Sequence, residues 1–209
     1  MRVLEIVFKV LACVGFLYLT WRRLKDDYAG KKLVAFSWLA LLVFFLSSRL
    51  IFVFLNWRII DSLWLDYWAF FSKPGMFYSA GYVGVLLAVF YFSWKNDWKV
   101  WSFLEDLSFS FLFFAFFWFL AGGKWLLSGL TILVFGFSFW LWNRYRSFVW
   151  YKSGKKGFVF WAANFIFWIL NLFMSILFED KGVNLFLAMF LSLISLMGLF
   201  ILGEVWKKK

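Results

Sequence analysis

The sequence predicts an all-α integral membrane protein, a bundle of seven transmembrane helices with its N-terminus outside and its C-terminus inside. Three observations predict it. Of the 209 residues, 65% are apolar, and they gather in seven long runs, at 3–21, 33–56, 75–94, 100–121, 125–142, 158–178 and 183–205. Each run has roughly the 17–25 residues that a helix needs to cross a bilayer core. The 22 Lys and Arg are unevenly placed: fifteen lie in the first, third and fifth connections and the C-terminal tail, five in the N-terminus and the other connections, and two, Lys9 and Arg49, within runs. Cytoplasmic loops carry the basic excess, which puts the tail inside and Met1 outside. Trp21, Tyr67, Trp68, Trp94, Trp98, Trp142 and Trp206 stand at run ends, as an interfacial aromatic belt requires. So little chain is left over that residues 1–209 are expected to form a single transmembrane domain in the plasma (inner) membrane.

The first run follows Arg2 and is interrupted by Glu5 and Lys9, with no small-residue cleavage site before the basic stretch from Arg22 to Lys25. It is expected to be a retained span rather than a signal peptide. Glu5 and Lys9, four apart, share a helix face and can pair near the outer interface. The second run carries Arg49 deep within it, and Asn56 caps it. The connection 57–74 sets Ile59, Ile60, Leu63, Trp64, Tyr67 and Trp68 at helical spacing among Arg58, Asp61, Ser62 and Asp66. That pattern predicts a short amphipathic segment on the outer surface, ended by Lys73, Pro74 and Gly75. Pro74 is the only proline, so no span is expected to be kinked by one.

In the third run Gly75, Ser79, Ala80, Gly81 and Gly84 make a small-residue face, suited to close helix packing or to holding a lipid chain. The fourth opens after Lys99 and places Glu105 and Asp106 in its early turns, where the helix dipole favours acids. Adjacent residues point about 100° apart, so these two read as structural polar residues, not as a paired catalytic dyad. A short turn, Gly122 to Lys124, leads to the fifth run. The loop 143–157 then holds Arg144, Arg146, Lys152, Lys155 and Lys156, a basic surface for lipid headgroups or a protein partner. Asn164 and Asn171, seven apart on the sixth run, share a face and are expected to hydrogen-bond between helices.

Composition excludes several chemistries. The chain has no histidine and one cysteine, Cys13, within the first run. The commonest general base and metal ligand are therefore missing, and zinc, haem and iron–sulfur sites are not expected; no metal or cofactor is implied. The net charge of +11 sits beside span ends on one side, so anionic lipid rather than nucleic acid is its natural partner.

Arg49 is the sharpest candidate for function. An arginine within a span costs roughly 2.5–3.5 kcal/mol on insertion scales, so its presence needs a reason. A guanidinium suits a lipid phosphate, to which it donates two parallel hydrogen bonds. It suits equally a structural pairing with a carboxylate or with helix-end carbonyls.

Three stretches resemble the prolipoprotein diacylglyceryl transferase family. Ser47-Ser48-Arg49-Leu50-Ile51-Phe52-Val53-Phe54 resembles the family's Gly-x-Arg-[LI]-x-[YF]-V-x-[FY] at the end of its second span. Pro74-Gly75-Met76-Phe77-Tyr78-Ser79-Ala80-Gly81-Tyr82-Val83-Gly84 keeps the spacing of Gly-Gly-Met-x-x-His-Gly-Gly-x-x-Gly at the start of the third. Trp101-Ser102-Phe103-Leu104-Glu105-Asp106-Leu107 matches the Trp-x-x-x-x-Asp-Leu that opens the fourth. The resemblance covers about residues 20–121 and, loosely, the last three spans.

It implies a seven-span, N-out and C-in fold, and a cleft for a phosphatidylglycerol-like phospholipid. The candidate lipid-binding residues are Arg49, Tyr78, Ser79, Gly81 and Gly84, with Lys124 as a substitute cation at the outer rim. The departures fall on the chemistry. Ser79 stands where the family has histidine. Its Gly-Arg-x-Gly-Asn-Phe signature falls on Phe119 to Lys124, where both arginine and asparagine are lost, and the sixth-span arginine is replaced by apolar residues in the region 172–174. The expected function is thus a lipid-binding or scaffolding relative without the usual catalytic residues, with a membrane protein as a further partner. The alternatives are a divergent transferase, moving diacylglyceryl from phosphatidylglycerol to a lipoprotein cysteine, and a small transporter or channel.

Overall fold

The computed structural model describes residues 2–55, 77–148, 151, 156–177 and 183–203. Within them the chain is helical: α1 (Arg2–Leu24), α2 (Gly30–Leu55), α3 (Tyr78–Asn96), α4 (Val100–Ala121), α5 (Trp125–Arg144) with a 3-10 turn at Tyr145–Ser147, α6 (Phe158–Leu177) and α7 (Val183–Gly203). The amphipathic segment 57–74 lies outside the described residues, as do Asn56, Gly75, Lys152 and Lys155.

Six of these helices are long and apolar enough to cross a membrane; α3 is the exception. It forms as a helix of 19 residues, about 28 Å at helical rise. Tyr78, Ser79, Gly81, Tyr82, Gly84, Ser93, Lys95 and Asn96 dilute its apolar character below that of the others. The chain is thus an all-helical, multi-pass membrane protein with six such helices among the described residues. Exposed apolar side chains cover α1 (Val3, Val7, Val14), α5 (Leu126, Leu133) and α7 (Leu193, Ile201), the surface that hydrocarbon solvates.

The chain divides into two compact units, residues 1–34 with 99–209, and residues 35–98. In the first, α4 is the central helix: α1, α5 and α6 all pack on it, and α7 packs on α6. Buried Ala12, Phe16, Thr20 and Leu24 recur every fourth residue of α1 and make a single stripe. A narrow stripe suffices because α1 has one principal neighbour. Small residues set the closest approaches, since lipid offers no hydrophobic drive between helices and packing must supply the attraction. Gly15 seats the Phe113 ring, and Gly198 seats the Trp161 indole. Phe109, Leu141, Tyr145, Tyr151, Phe158, Val159 and Ala162 form an aromatic core joining α4, α5 and α6 at the end marked by Gly157.

In the second unit α3 lies against α2 with almost no gap. A Cβ at Gly81 would come within 2.6 Å of the Phe44 ring and 3.0 Å of its carbonyl oxygen, and one at Gly84 would collide with Ser47. Of the two uses open to this small-residue face, these two positions serve helix packing.

Candidate functional site

Arg49 stands six residues before the end of α2, about 9 Å along the axis. It is 1% exposed, the largest fully buried side chain among the described residues. Its guanidinium carbon lies 5.1 Å from the Phe52 ring centroid, one helical turn away, where the negative face of the ring attracts it. The side chain is therefore enclosed by protein. The serines beside it turn back on their own helix: Ser47 Oγ donates to the Val43 carbonyl at 2.6 Å, and Ser48 Oγ to that of Phe45 at 3.1 Å. Neither hydroxyl donor is left over for a ligand.

The start of α3 is joined to this level of α2. The Phe77 N–H donates to the Ser48 carbonyl at 3.3 Å, and the Tyr78 ring meets the Phe44 ring at a steep angle, 5.6 Å between centroids. Ser79, Ala80, Gly81, Tyr82 and Gly84 are buried along the same helix. The unit thus brings the stretch of α2 around Arg49 together with the opening of α3, which carries Tyr78, Ser79, Gly81 and Gly84. The segment 56–76 that links the two helices lies outside the described residues. A guanidinium enclosed in this way can bind an anion strongly where little water competes for it.

A second polar cluster lies in the first unit, at the end of α4 that follows Lys99. Glu105 is buried and accepts a hydrogen bond from the Gly157 N–H. The Tyr145 hydroxyl also bonds Glu105 and accepts from Arg146 Nε at 3.2 Å. Asp106 points elsewhere, as neighbours on a helix must, and pairs with Arg23 Nη2 at 3.3 Å. The Arg23 guanidinium lies over Phe109, 3.9 Å from the centroid, and 4.9 Å from that of Trp142. Glu105 and Asp106 therefore tie α4 to the 3-10 turn, to the entry of α6 and to α1. Their reading as structural residues names none of these partners. In the sequence Arg23 reads only as a loop cation; its place three residues after Thr20, on the buried stripe of α1, is the signal that could have found it.

The remaining candidates also lie in the first unit. Lys124 is exposed in the turn between α4 and α5. Asn164 Nδ2 and Asn171 Nδ2 each donate at 2.8 Å to the carbonyl four residues back, of Phe160 and Phe167. Both of these bonds lie within α6. Glu5 and Lys9 pair at 2.5 Å, half-exposed, with Lys9 Nζ 5.7 Å from the Trp118 ring.

Comparison with protein-family models, curated proteins and solved structures finds no match to this chain.

Proposed function

We propose that this chain is a seven-span, N-out and C-in protein on the plan of the prolipoprotein diacylglyceryl transferases, holding an anionic phospholipid at Arg49 without transferring its diacylglyceryl group. The observation that carries this reading is the junction of α2 and α3. Arg49 is enclosed beside Phe52, one residue from the Ser48 carbonyl that accepts the Phe77 N–H. Two of the three motifs that resemble the family are therefore neighbours. A phosphate entering there would meet a cation in low dielectric.

Transfer to a thiol needs a base or a polarising group near the breaking C–O bond. With Ser79 in place of histidine and no histidine elsewhere, these two motifs offer Arg49 alone for that role. That argues for holding or presenting a lipid in the inner membrane, with a membrane protein as recipient. The enclosure of Arg49 favours one second reading, in which the arginine is paired inside the fold and the chain acts as a scaffold.

The test is native mass spectrometry of the purified protein, then an assay with radiolabelled phosphatidylglycerol and a lipobox peptide. The proposal expects co-purified anionic phospholipid and no label on the peptide. Label on the peptide cysteine would overturn the non-catalytic half, and a lipid-free protein would overturn the lipid half.

A further inference from the structure

Most hydroxyls buried in the helices of the first unit are accounted for. Ser108, Thr131, Ser138, Ser192 and Ser195 each donate to a carbonyl three or four residues back, at 2.7–2.8 Å. Thr20 and Ser110 do not. Both are 0% exposed, and neither Thr20 Oγ1 nor Ser110 Oγ has a hydrogen-bond partner among the described residues. Leaving a hydroxyl buried and unpaired is costly, so two such groups need an explanation.

Their positions supply one. Helices α1 and α4 run antiparallel, with Phe8 against Phe117, Gly15 against Phe113, Phe16 against Phe114 and Arg23 against Asp106. The residue numbers in these pairs put Thr20 opposite Ser110. Each lies on the facing stripe of its helix, Thr20 between Phe16 and Arg23, Ser110 between Asp106 and Phe114. A third orphan stands one turn along α1 from Thr20: Arg23 Nε is also buried without a partner among the described residues. Side chains on a helix lean towards its N-terminus, so Arg23 leans towards the level of Thr20. Its guanidinium does reach the ring of Phe109, the neighbour of Ser110.

We infer that the seam between α1 and α4 holds an ordered water bound by Thr20, Ser110 and Arg23 Nε–H. Three partners are what a buried water typically has. The chemistry selects water over an ion. Arg23 and Asp106 already neutralise one another, so an anion would face the carboxylate and a cation the guanidinium. Two hydroxyls that both donate and accept, beside one fixed donor, suit a small neutral molecule that does both. Such a water fixes the register of α1 on α4 at a level where the apolar stripe is broken.

The test combines two measurements on the intact protein in detergent. Thr20→Val keeps the side-chain shape and removes the hydroxyl. With the water present, Thr20→Val and Ser110→Ala each lower the melting temperature, by about 2–4 °C, and the double variant falls by less than the sum. Unpaired hydroxyls in a dry seam give the opposite sign: Thr20→Val is then neutral or stabilising, and that result overturns the inference. Should a variant fail to fold, radiolytic hydroxyl labelling of the unaltered protein decides. A bound water activated in place labels buried Phe109 faster than buried Phe36, and equal rates at the two rings overturn the inference.

Discussion

At Gly157 backbone conformation and close neighbours both oppose a side chain. Its φ of +110° is a conformation that side chains rarely adopt, and a Cβ there would stand 3.1 Å from that of Trp101 and 3.3 Å from Leu202. Its N–H also serves buried Glu105. Gly157→Ala should therefore cost on the order of 1–3 kcal/mol, read as a lower melting temperature. Tyr28, in the connection between α1 and α2, tests a different term. Burial pushes its phenol above the ordinary value, against a hydrogen bond with Ser102 that lowers it. The neutral form is thus the one the fold favours. Its contribution is whole below the unfolded value near pH 10 and is lost as pH rises through the folded value, because the unfolded chain ionises first. Stability measured by thermal melts should fall above about pH 10, and Tyr28→Phe should remove part of that fall. At this scale the sequence is legible where a residue is costly in itself, as at Arg49, Glu105 and Asp106. It is not legible where the cost depends on a distant partner, as for Arg23 over Phe109 and for Gly157 beside Glu105.

Helices α2 and α3 make the clearest element-scale case. Gly84 faces Ser47 and Val43 of α2 with no room for a side chain. Gly84→Val should force these helices apart and lower the melting temperature by several degrees. Gly136 on α5 has nothing within 4 Å of where a Cβ would stand, so Gly136→Ala should be neutral or slightly stabilising, since alanine favours the helix. A Gly84→Val protein that melts like the parent would contradict the packing. The same glycine is readable in the sequence as part of a small-residue face, and the run 100–121 matches α4 to the residue. Apolar runs locate helices well because the hydrocarbon thickness sets their length. They locate α3 less well, since its polar and small residues weaken the apolar signal that identifies a span. They say nothing of where an amide turns: the Asn171 Nδ2 bonds a carbonyl of its own helix.

For the molecule as a whole, the basic asymmetry makes a topology prediction. Reporter fusions after Lys32, Lys99, Lys156 and Lys209 should report cytoplasm, and those near Arg58, Lys124 and Lys181 the outside. A cytoplasmic signal near Arg58 would overturn the assignment of every span, because each connection inverts the next. That asymmetry is spread over the whole chain, which is why it is legible without a structure. The lipid site is not, because a buried arginine serves a ligand and a structural pair equally well. Bound lipid and melting temperature, measured together on Arg49→Ala and Arg49→Lys, separate them. The lipid account predicts that Arg49→Ala loses the co-purifying anionic lipid, a loss on the order of 1.5–3 kcal/mol of affinity, while the bundle still folds in lipid-free detergent. Arg49→Lys should recover only part of the binding, since an ammonium keeps the charge but not the planar fork. An Arg49→Ala protein that melts early yet keeps its lipid would contradict the account.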